Sequence, residues 1–318
     1  MRIRLKNIED QVIVITGASS GIGLATARMA AQRGARVAVA AREQETLDRL
    51  SDEIKSQGGE ALAVAADVTR FDHIKSLAQR TIERFGTFDT WVNNSGGSIY
   101  GRILDVPVEE ERKLFETNYW GVVYGSRVAA EHLRRRGGAL INLGSVASDR
   151  AIPLQAASSA SKHAVKAYTD ALRSELSKEG APVSVTLIKP TAIDTPFFRH
   201  AKTYMNAQPV EPSPMYAPQT VARAILAAAE RPLRDVLVGG LAPMQSAIGR
   251  IMPRLGDWFV NATMFDGQRS NRLPGPSDNQ ILEHASGALQ ERGKYPDVTI
   301  NERRNASGLL CQQHLLLV

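Results

Sequence analysis

The chain has 318 residues, of which 43% are hydrophobic, 23% charged and 6% aromatic, a balance that predicts a globular protein with a sizeable core. Its formal charge of +6 is spread without a block of Lys and Arg or a basic aromatic module, which argues against nucleic-acid binding. A single cysteine, Cys311, excludes an intramolecular disulfide and a thiolate metal cluster, and no run of 18 uncharged apolar residues predicts a membrane-spanning helix.

Short β-branched runs alternate with longer amphipathic segments along most of the chain. The runs cover residues 12–16, 36–41, 61–67, 90–94, 139–145, 183–189 and 235–239. Between them, apolar residues recur at helical spacing, as at Leu47, Leu50 and Ile54. Because this alternation is typical of βαβ units, the sequence predicts an α/β fold with a Rossmann-like, doubly wound parallel sheet of about seven strands.

The predicted organisation has three parts: a short N-terminal segment (1–10), a nucleotide-binding catalytic domain (11–240) and a C-terminal extension (241–318). After residue 240, Pro, Gly, Asn and Arg increase and strand signals stop. Residues 244–265 have an amphipathic helical pattern, for which packing on the domain or on a second subunit is favoured over membrane contact. We expect most of 266–318 to be extended or disordered. With no cleavable-signal pattern before the first strand, we expect a cytoplasmic location.

A glycine-rich turn joins the first predicted strand to the first predicted helix. Residues 16–23 read TGASSGIG. Glycines let the backbone turn tightly and approach a pyrophosphate, whose charge is stabilised by free N–H groups at the helix N-terminus. An ordinary glycine-rich turn is the alternative. The candidate cofactor-binding residues here are Gly17, Ser19, Ser20, Gly21, Ile22 and Gly23.

The end of the second predicted strand indicates the choice of cofactor. An Asp or Glu there would bind the ribose 2′-hydroxyl of NAD, but the sequence reads Ala40-Ala41-Arg42. A guanidinium can bind a 2′-phosphate instead, so Arg42 predicts NADP(H). The alternative is an Arg that is merely solvated at a helix start.

The TGxxxGxG spacing resembles the fingerprint of the classical short-chain dehydrogenase/reductase family. Further motifs extend the resemblance: Asn-Asn-Ser-Gly at 93–96 for NNAG, Asn118 in an NxxG context, Lys162 in Ala-Ser-Lys, and PTAIDTP at 190–196 for PGxVxTP. The resemblance also supports NADP(H), because family members that prefer NADP commonly have an Arg at the position that corresponds to Arg42. It implies further cofactor contacts from Asp67, Val68, Asn94, Lys162, Pro190, Ile193 and Thr195.

The same resemblance implies a catalytic set of Asn118, Ser145, Lys162 and the residue four positions before Lys162. In the family that residue is a Tyr that exchanges a proton with the substrate oxygen, and the Lys lowers the Tyr pKa and holds the nicotinamide ribose. Ser145 would hydrogen-bond the substrate oxygen, and Asn118 would support a water that links Lys162 to solvent. No metal is implied.

In this chain the residue four positions before Lys162 is Ser158. An alkyl hydroxyl is a weaker acid than a phenol, and its shorter side chain leaves the oxygen farther from the substrate. Tyr119 and Tyr168 do not replace the phenol by spacing alone. We therefore expect impaired proton transfer.

Two functional hypotheses follow. The first is an NADP(H)-dependent oxidoreductase of a small carbonyl or alcohol substrate, slowed by Ser158. The second is a catalytically inactive NADP-binding regulatory or assembly protein. The resemblance also implies a homodimer or homotetramer formed by helices around 115–134 and 160–177, and a substrate-closing segment at 195–216. Since every nucleotide motif ends by Thr195, we expect residues from about 266 onward to be dispensable for cofactor binding.

Overall fold

The computed structural model describes residues 3–198, 200–207, 209, 214–239, 268, 289–293, 299–300 and 315–317. The predicted amphipathic helix at 244–265 lies outside these residues, as does most of the C-terminal extension. The boundaries proposed at residues 10 and 240 stay predictions.

The fold is built on one central sheet whose seven parallel strands were all predicted. The strands are β1 Val12–Thr16, β2 Arg36–Ala41, β3 Glu60–Ala65, β4 Thr90–Asn93, β5 Gly138–Leu143, β6 Val183–Pro190 and β7 Asp235–Val238. Their order across the sheet is β3-β2-β1-β4-β5-β6-β7. Predicted and observed ends agree within two residues.

The C-terminal extension adds strands that the sequence did not predict. β8, Leu315–Leu317, pairs antiparallel with β7 at the edge of the sheet. Thr299–Ile300 pairs with Met215–Tyr216 in a separate two-stranded ladder, and Ile99–Tyr100 pairs with Lys202–Thr203 in another. The expectation that strands stop after residue 240 is therefore wrong.

In the part of the chain that the structure describes, seven α-helices cover the sheet on both faces. They are α1 Gly21–Gln32, α2 Gln44–Ser56, α3 Phe71–Phe85, α4 Val108–Phe115, α5 Gly121–Arg136, α6 Ala156–Lys178 and α7 Pro218–Glu230. A π-helical segment, Glu116–Trp120, joins α4 to α5.

Alternating side chains of β1 show how the two layers form. Ile13 and Ile15 enter a core with α1, α2 and α7, whereas Val12 and Val14 enter a second core with α3, α5 and α6. Successive side chains of a strand point to opposite faces, so a continuous apolar run fits a strand buried on both sides. The predicted doubly wound architecture is confirmed.

This topology fixes where a ligand site can form. Strand order reverses between β1 and β4, and the carboxyl ends of all seven parallel strands lie at one edge. Ligands of open α/β sheets bind at such a switch point. Among the described residues, no helix is long and apolar enough to cross a membrane.

Candidate active site

The glycine-rich turn after β1 depends on the absence of side chains. Gly17 and Gly21 have φ angles of +66° and +56°, in the region that favours glycine. A Cβ at Gly23 would lie 2.2 Å from the Gly17 carbonyl oxygen and 2.6 Å from Asn94 Nδ2. The turn therefore closes against its own helix only because residue 23 is glycine.

Asn94, which follows β4, fixes the turn from the other side of the switch point. Its side-chain amide donates to the carbonyl oxygens of Thr16 and Gly17 at 3.0 and 3.1 Å, and its backbone N–H donates to Thr16 Oγ1 at 3.1 Å. The adjacent Asn93 points into the core, where its amide donates to Asn142 Oδ1 at 2.8 Å. Of the two asparagines, only Asn94 contacts the nucleotide turn.

The N-terminus of α1 has the character of an anion site. Ser20 occupies the N-cap position but makes no side-chain hydrogen bond to the helix. Among the described residues, the N–H groups of Ile22 and Gly23 have no recorded acceptor. Unpaired N–H groups in a first helical turn bind phosphate well, so the turn fits a nucleotide pyrophosphate.

Arg42 follows β2 directly and is partly buried. Burial lowers the pKa of Arg42, and the negative charge of Asp67 partly opposes that effect. Asp67 itself accepts hydrogen bonds from the N–H and hydroxyl of Thr69, both at 2.9 Å. The next residue, Val68, packs closely over Gly121, at which a Cβ would lie 2.9 Å from Val68 Cγ2. Arg42 and Asp67 are thus close enough to interact electrostatically.

Lys162 and Asn118 meet at Gly96 and Gly97. A Cβ at Gly96 would lie 3.3 Å from Asn118 Oδ1 and 3.8 Å from Lys162 Nζ. Asn118 Oδ1 accepts from the Gly97 N–H at 2.8 Å, and its amide donates to the Gly97 carbonyl oxygen at 3.0 Å. Asn118 lies in the π-helical segment, a feature that is frequent at functional sites.

The ammonium of Lys162 donates to the Leu143 carbonyl oxygen at 2.9 Å. Desolvation by burial lowers the Lys162 pKa from 10.5 to about 8, because burial disfavours the charged ammonium.

Ser145 lies just beyond β5. Its hydroxyl accepts from the Ala147 N–H at 3.1 Å, and its own N–H donates to Ser148 Oγ at 3.1 Å. This capping box holds the short helix Val146–Ser148 and leaves Ser145 at the carboxyl edge of the sheet.

Ser158 lies one turn before Lys162 on α6 but is bonded elsewhere. Its hydroxyl is 2.8 Å from the Ser98 hydroxyl and accepts from the Ile99 N–H at 3.3 Å. The residue is buried, with 9% of its surface exposed. Ser98 and Ile99 are partners that the spacing of the motif could not predict.

The segment after β6 completes the cleft. Pro190 ends the strand, and Ile193 forms a bridge with Tyr216. A Cβ at Gly21 would lie 3.2 Å from Thr195, so this segment touches the nucleotide turn. Between Ile193 and Thr195, the buried Asp194 accepts from the Gly293 N–H at 2.9 Å.

The sequence did not predict that the C-terminal extension reaches this site. The Gly21 N–H donates to the Gln290 carbonyl oxygen at 2.9 Å. Gln268 also bonds with the loop before α6, accepting from Gln155 and donating to the Pro153 carbonyl oxygen. No local motif marks these contacts. Within the described part of the chain, no cluster of His, Cys, Asp and Glu could hold a metal ion.

Comparison with known proteins adds relatives over most of the chain. A family model described as short chain dehydrogenase matches residues 11–205. The uncharacterized oxidoreductase YxnA of Bacillus subtilis is 46% identical over 295 residues, which cover 92% of this chain and 83% of that protein. Dehydrogenase/reductase SDR family member 7B of Danio rerio is 34% identical over 260 residues, covering 76% of this chain and 81% of that protein.

Two solved structures share the fold at 27% identity. An alcohol dehydrogenase from the archaeon Thermococcus sibiricus, complexed with 5-hydroxy-NADP, matches with a TM-score of 0.64 over 72% of this chain and 95% of its own. A short chain dehydrogenase/reductase from Burkholderia phymatum, in complex with NAD, matches with a TM-score of 0.60 over 71% and 81%. The two differ in cofactor.

Proposed function

This chain belongs to the short-chain dehydrogenase/reductase family and is an oxidoreductase of that family, and we propose that it transfers hydride between NADP(H) and a small carbonyl or alcohol substrate. One observation carries the proposal: the turn at Gly17–Gly23 and the Lys162–Asn118 pair lie at the same edge of the sheet. Asn94 and Gly96, which follow β4, bring the two together.

The proposed nucleotide site fits the residues present. The pyrophosphate would bind the N–H groups of Ile22 and Gly23, at a turn where a Cβ on Gly23 would collide with backbone. Ser19, Ser20, Asn94 and the segment from Pro190 to Thr195 would border the remaining nucleotide. When bound, NADP(H) supplies or accepts the hydride.

NADP(H) rather than NAD(H) is favoured by Arg42. At the end of β2, where an Asp or Glu would repel a 2′-phosphate, the chain instead has Ala41 followed by the partly buried Arg42. Its guanidinium can donate two parallel hydrogen bonds to a phosphate. Asp67, which neighbours Arg42, is already bonded to Thr69.

The chain's own residues would act on the substrate oxygen and on protons. Ser145 would donate a hydrogen bond to that oxygen, and Lys162 would place a positive charge near it and bind the ribose. Asn118, bonded to both groups of the Gly97 backbone, would hold the proton path behind Lys162. Such preorganised donors stabilise charge that develops during reaction.

In our proposal, Ser158 slows turnover at this site. A phenol has a pKa of about 10, far below that of an alkyl hydroxyl, so Ser158 is a poor proton donor. Its hydroxyl is also engaged with Ser98 and Ile99. Binding of NADP(H) does not need this group, whereas proton transfer does.

A screen of NADPH oxidation against ketones, aldehydes and quinones tests the function. We expect weak turnover of at least one substrate class by the chain, strong turnover by Ser158→Tyr, and none when Lys162→Met is added to Ser158→Tyr. NADPH binding without turnover in every variant would favour a non-catalytic NADP-binding protein. The homodimer or homotetramer implied by the family stays a prediction, to be checked by light scattering in the same preparations.

A further inference from the structure

Residues 289–293, the C-terminal clasp, lie across the border between α1 and the segment after β6. At one end, the Gln290 carbonyl oxygen accepts from the Gly21 N–H at 2.9 Å, and residues Ser20 and Gln290 form a β-bridge. At the other end, the Gly293 N–H donates to Asp194 Oδ1 at 2.9 Å. The clasp therefore joins the two walls of the proposed nucleotide cleft.

Glu291 anchors the clasp between two helices. Its carboxylate pairs with Arg28 of α1 at 2.8 Å and accepts a hydrogen bond from Gln219 of α7. Glu291 is 18% exposed and Arg28 is 25% exposed, so this ion pair is partly shielded from solvent. Leu289 packs against the core beneath. Four residues, Leu289, Gln290, Glu291 and Gly293, therefore attach the clasp to the rest of the chain.

Asp194 gives the clasp a link to the cofactor side of the site. The residue is 1% exposed, and a buried carboxylate needs hydrogen-bond donors. Its neighbour Thr195 touches Gly21. The Gly293 N–H thus satisfies a buried charge beside the point where the two walls meet.

We propose that the clasp is a positioning element for the nucleotide, with Glu291 as the residue that holds it in place. The inference rests on the proposed function, because it takes NADP(H) as the ligand. The Gln290 carbonyl oxygen of the clasp accepts from the Gly21 N–H, and the N–H groups of Ile22 and Gly23 would remain to bind the pyrophosphate. Ordering the turn before binding lowers the entropy cost of binding.

Because Glu291 holds the clasp in place in this proposal, loss of its side chain should weaken NADPH binding. We expect Glu291→Ala to raise the NADPH dissociation constant about 3- to 10-fold, because the turn must then be ordered when the nucleotide binds. The matched control is Glu53→Ala. Glu53 pairs with the same Arg28 at 2.7 Å but from α2, so this variant disturbs Arg28 without touching the clasp and should leave the constant unchanged.

The measurement is NADPH titration by calorimetry on the full chain, with melting temperatures of the nucleotide-free proteins recorded alongside. A structural role alone would lower the melting temperature and leave the dissociation constant unchanged. The proposal would be overturned by an unchanged or lower NADPH dissociation constant in Glu291→Ala. It would also be overturned if the dissociation constant rose equally in Glu53→Ala.

A second pair of variants tests the other end independently. Gly293→Pro removes the N–H that binds Asp194, whereas Gly293→Ala keeps it, so only the former should weaken NADPH binding. Equal affinities for this pair would contradict the proposal. If the unmodified chain binds neither NADPH nor NADH, the proposed function fails and the clasp with it. Binding that is indifferent to all four substitutions overturns the clasp alone.

Discussion

Arg42 and Lys162 are two cations whose pKa is lowered by burial, yet they serve different purposes. Arg42 has Asp67 beside it, and an arginine side chain stays charged at any physiological pH. Among the described residues, the Lys162 ammonium donates to a backbone carbonyl, that of Leu143, and the Lys162 pKa is about 8. The first is suited to a permanent phosphate contact, and the second to a change of charge.

Replacement of Arg42 by Asp should remove the preference for NADPH. The guanidinium contact with a 2′-phosphate is worth on the order of 1–3 kcal/mol as a charge-assisted interaction, so we expect about 10-fold or greater loss of NADPH affinity and little loss for NADH. Calorimetry with both cofactors measures this. Arg36→Asp, at the opposite end of β2, is the control. Equal affinities of the unmodified chain for the two cofactors would refute the role of Arg42.

Lys162 should make the stability of the nucleotide-free chain depend on pH. Its pKa is about 8 in the folded chain and 10.5 ordinarily, so below pH 8 it is protonated in both states and the cost of burying its charge is fully present. Between about pH 8 and 10.5 the unfolded state binds more protons, and stability rises with pH. Relative to Lys162→Met, the free energy of unfolding should rise from pH 7.5 to pH 10.

Urea denaturation of both proteins at several pH values provides this comparison. Because the two proteins share all other titrating groups, the contributions of those groups cancel in the difference between the free energies of unfolding. A difference that stays constant, or that falls with increasing pH, would show that the Lys162 ammonium is not desolvated in the folded chain.

At the scale of elements, a buried ion pair ties the loop after β5 to β6. Lys189 Nζ lies 2.9 Å from Asp149 Oδ2, with 3% and 1% of the two side chains exposed. Asp235 of β7 lies 3.9 Å from the same ammonium and also pairs with Arg173 of α6. Because Asp149 follows the short helix capped by Ser145, this pair helps to place the candidate catalytic loop.

Loss of Lys189 should therefore be costly. Lys189→Met breaks this buried pair by removing the ammonium from Asp149, and we expect the free energy of unfolding to fall by about 3–5 kcal/mol. The double variant Lys189→Met/Asp149→Leu should recover much of this, since a buried pair can be replaced by apolar residues. Lys166→Met breaks a more exposed pair with Asp170 and should cost below about 1 kcal/mol. Equal losses in the two single variants, measured by urea denaturation, would contradict this account.

Over the chain as a whole, the sequence predicted those elements and motifs that local residue patterns determine. Strand runs and the helical spacing between them identified the seven parallel strands. Motif order brought Gly17, Asn94 and Thr195 into one site, because the carboxyl ends of parallel strands meet at a switch point.

Contacts between distant segments could not be predicted in this way. Gln290 meets Gly21 across most of the chain, and Ser158 meets Ser98 across 60 residues. Neither pair carries a periodic pattern or a motif, so only the folded chain brings them together. No pattern in the sequence predicted that residues 289–293 contact Gly21 and Asp194, so the clasp proposal and the expectation that residues from about 266 onward are dispensable make opposite predictions for NADPH binding.

Ser158 should separate cofactor binding from turnover in this chain. The deciding measurement is the rate at which the chain and Ser158→Tyr oxidise NADPH, at saturating NADPH and with one reducible substrate. The NADPH dissociation constant is determined for both proteins. General acid catalysis is worth about 10²- to 10⁴-fold in rate. We predict similar dissociation constants and a rate at least about 100-fold higher in Ser158→Tyr. Equal rates would show that another group supplies the proton and would contradict the account.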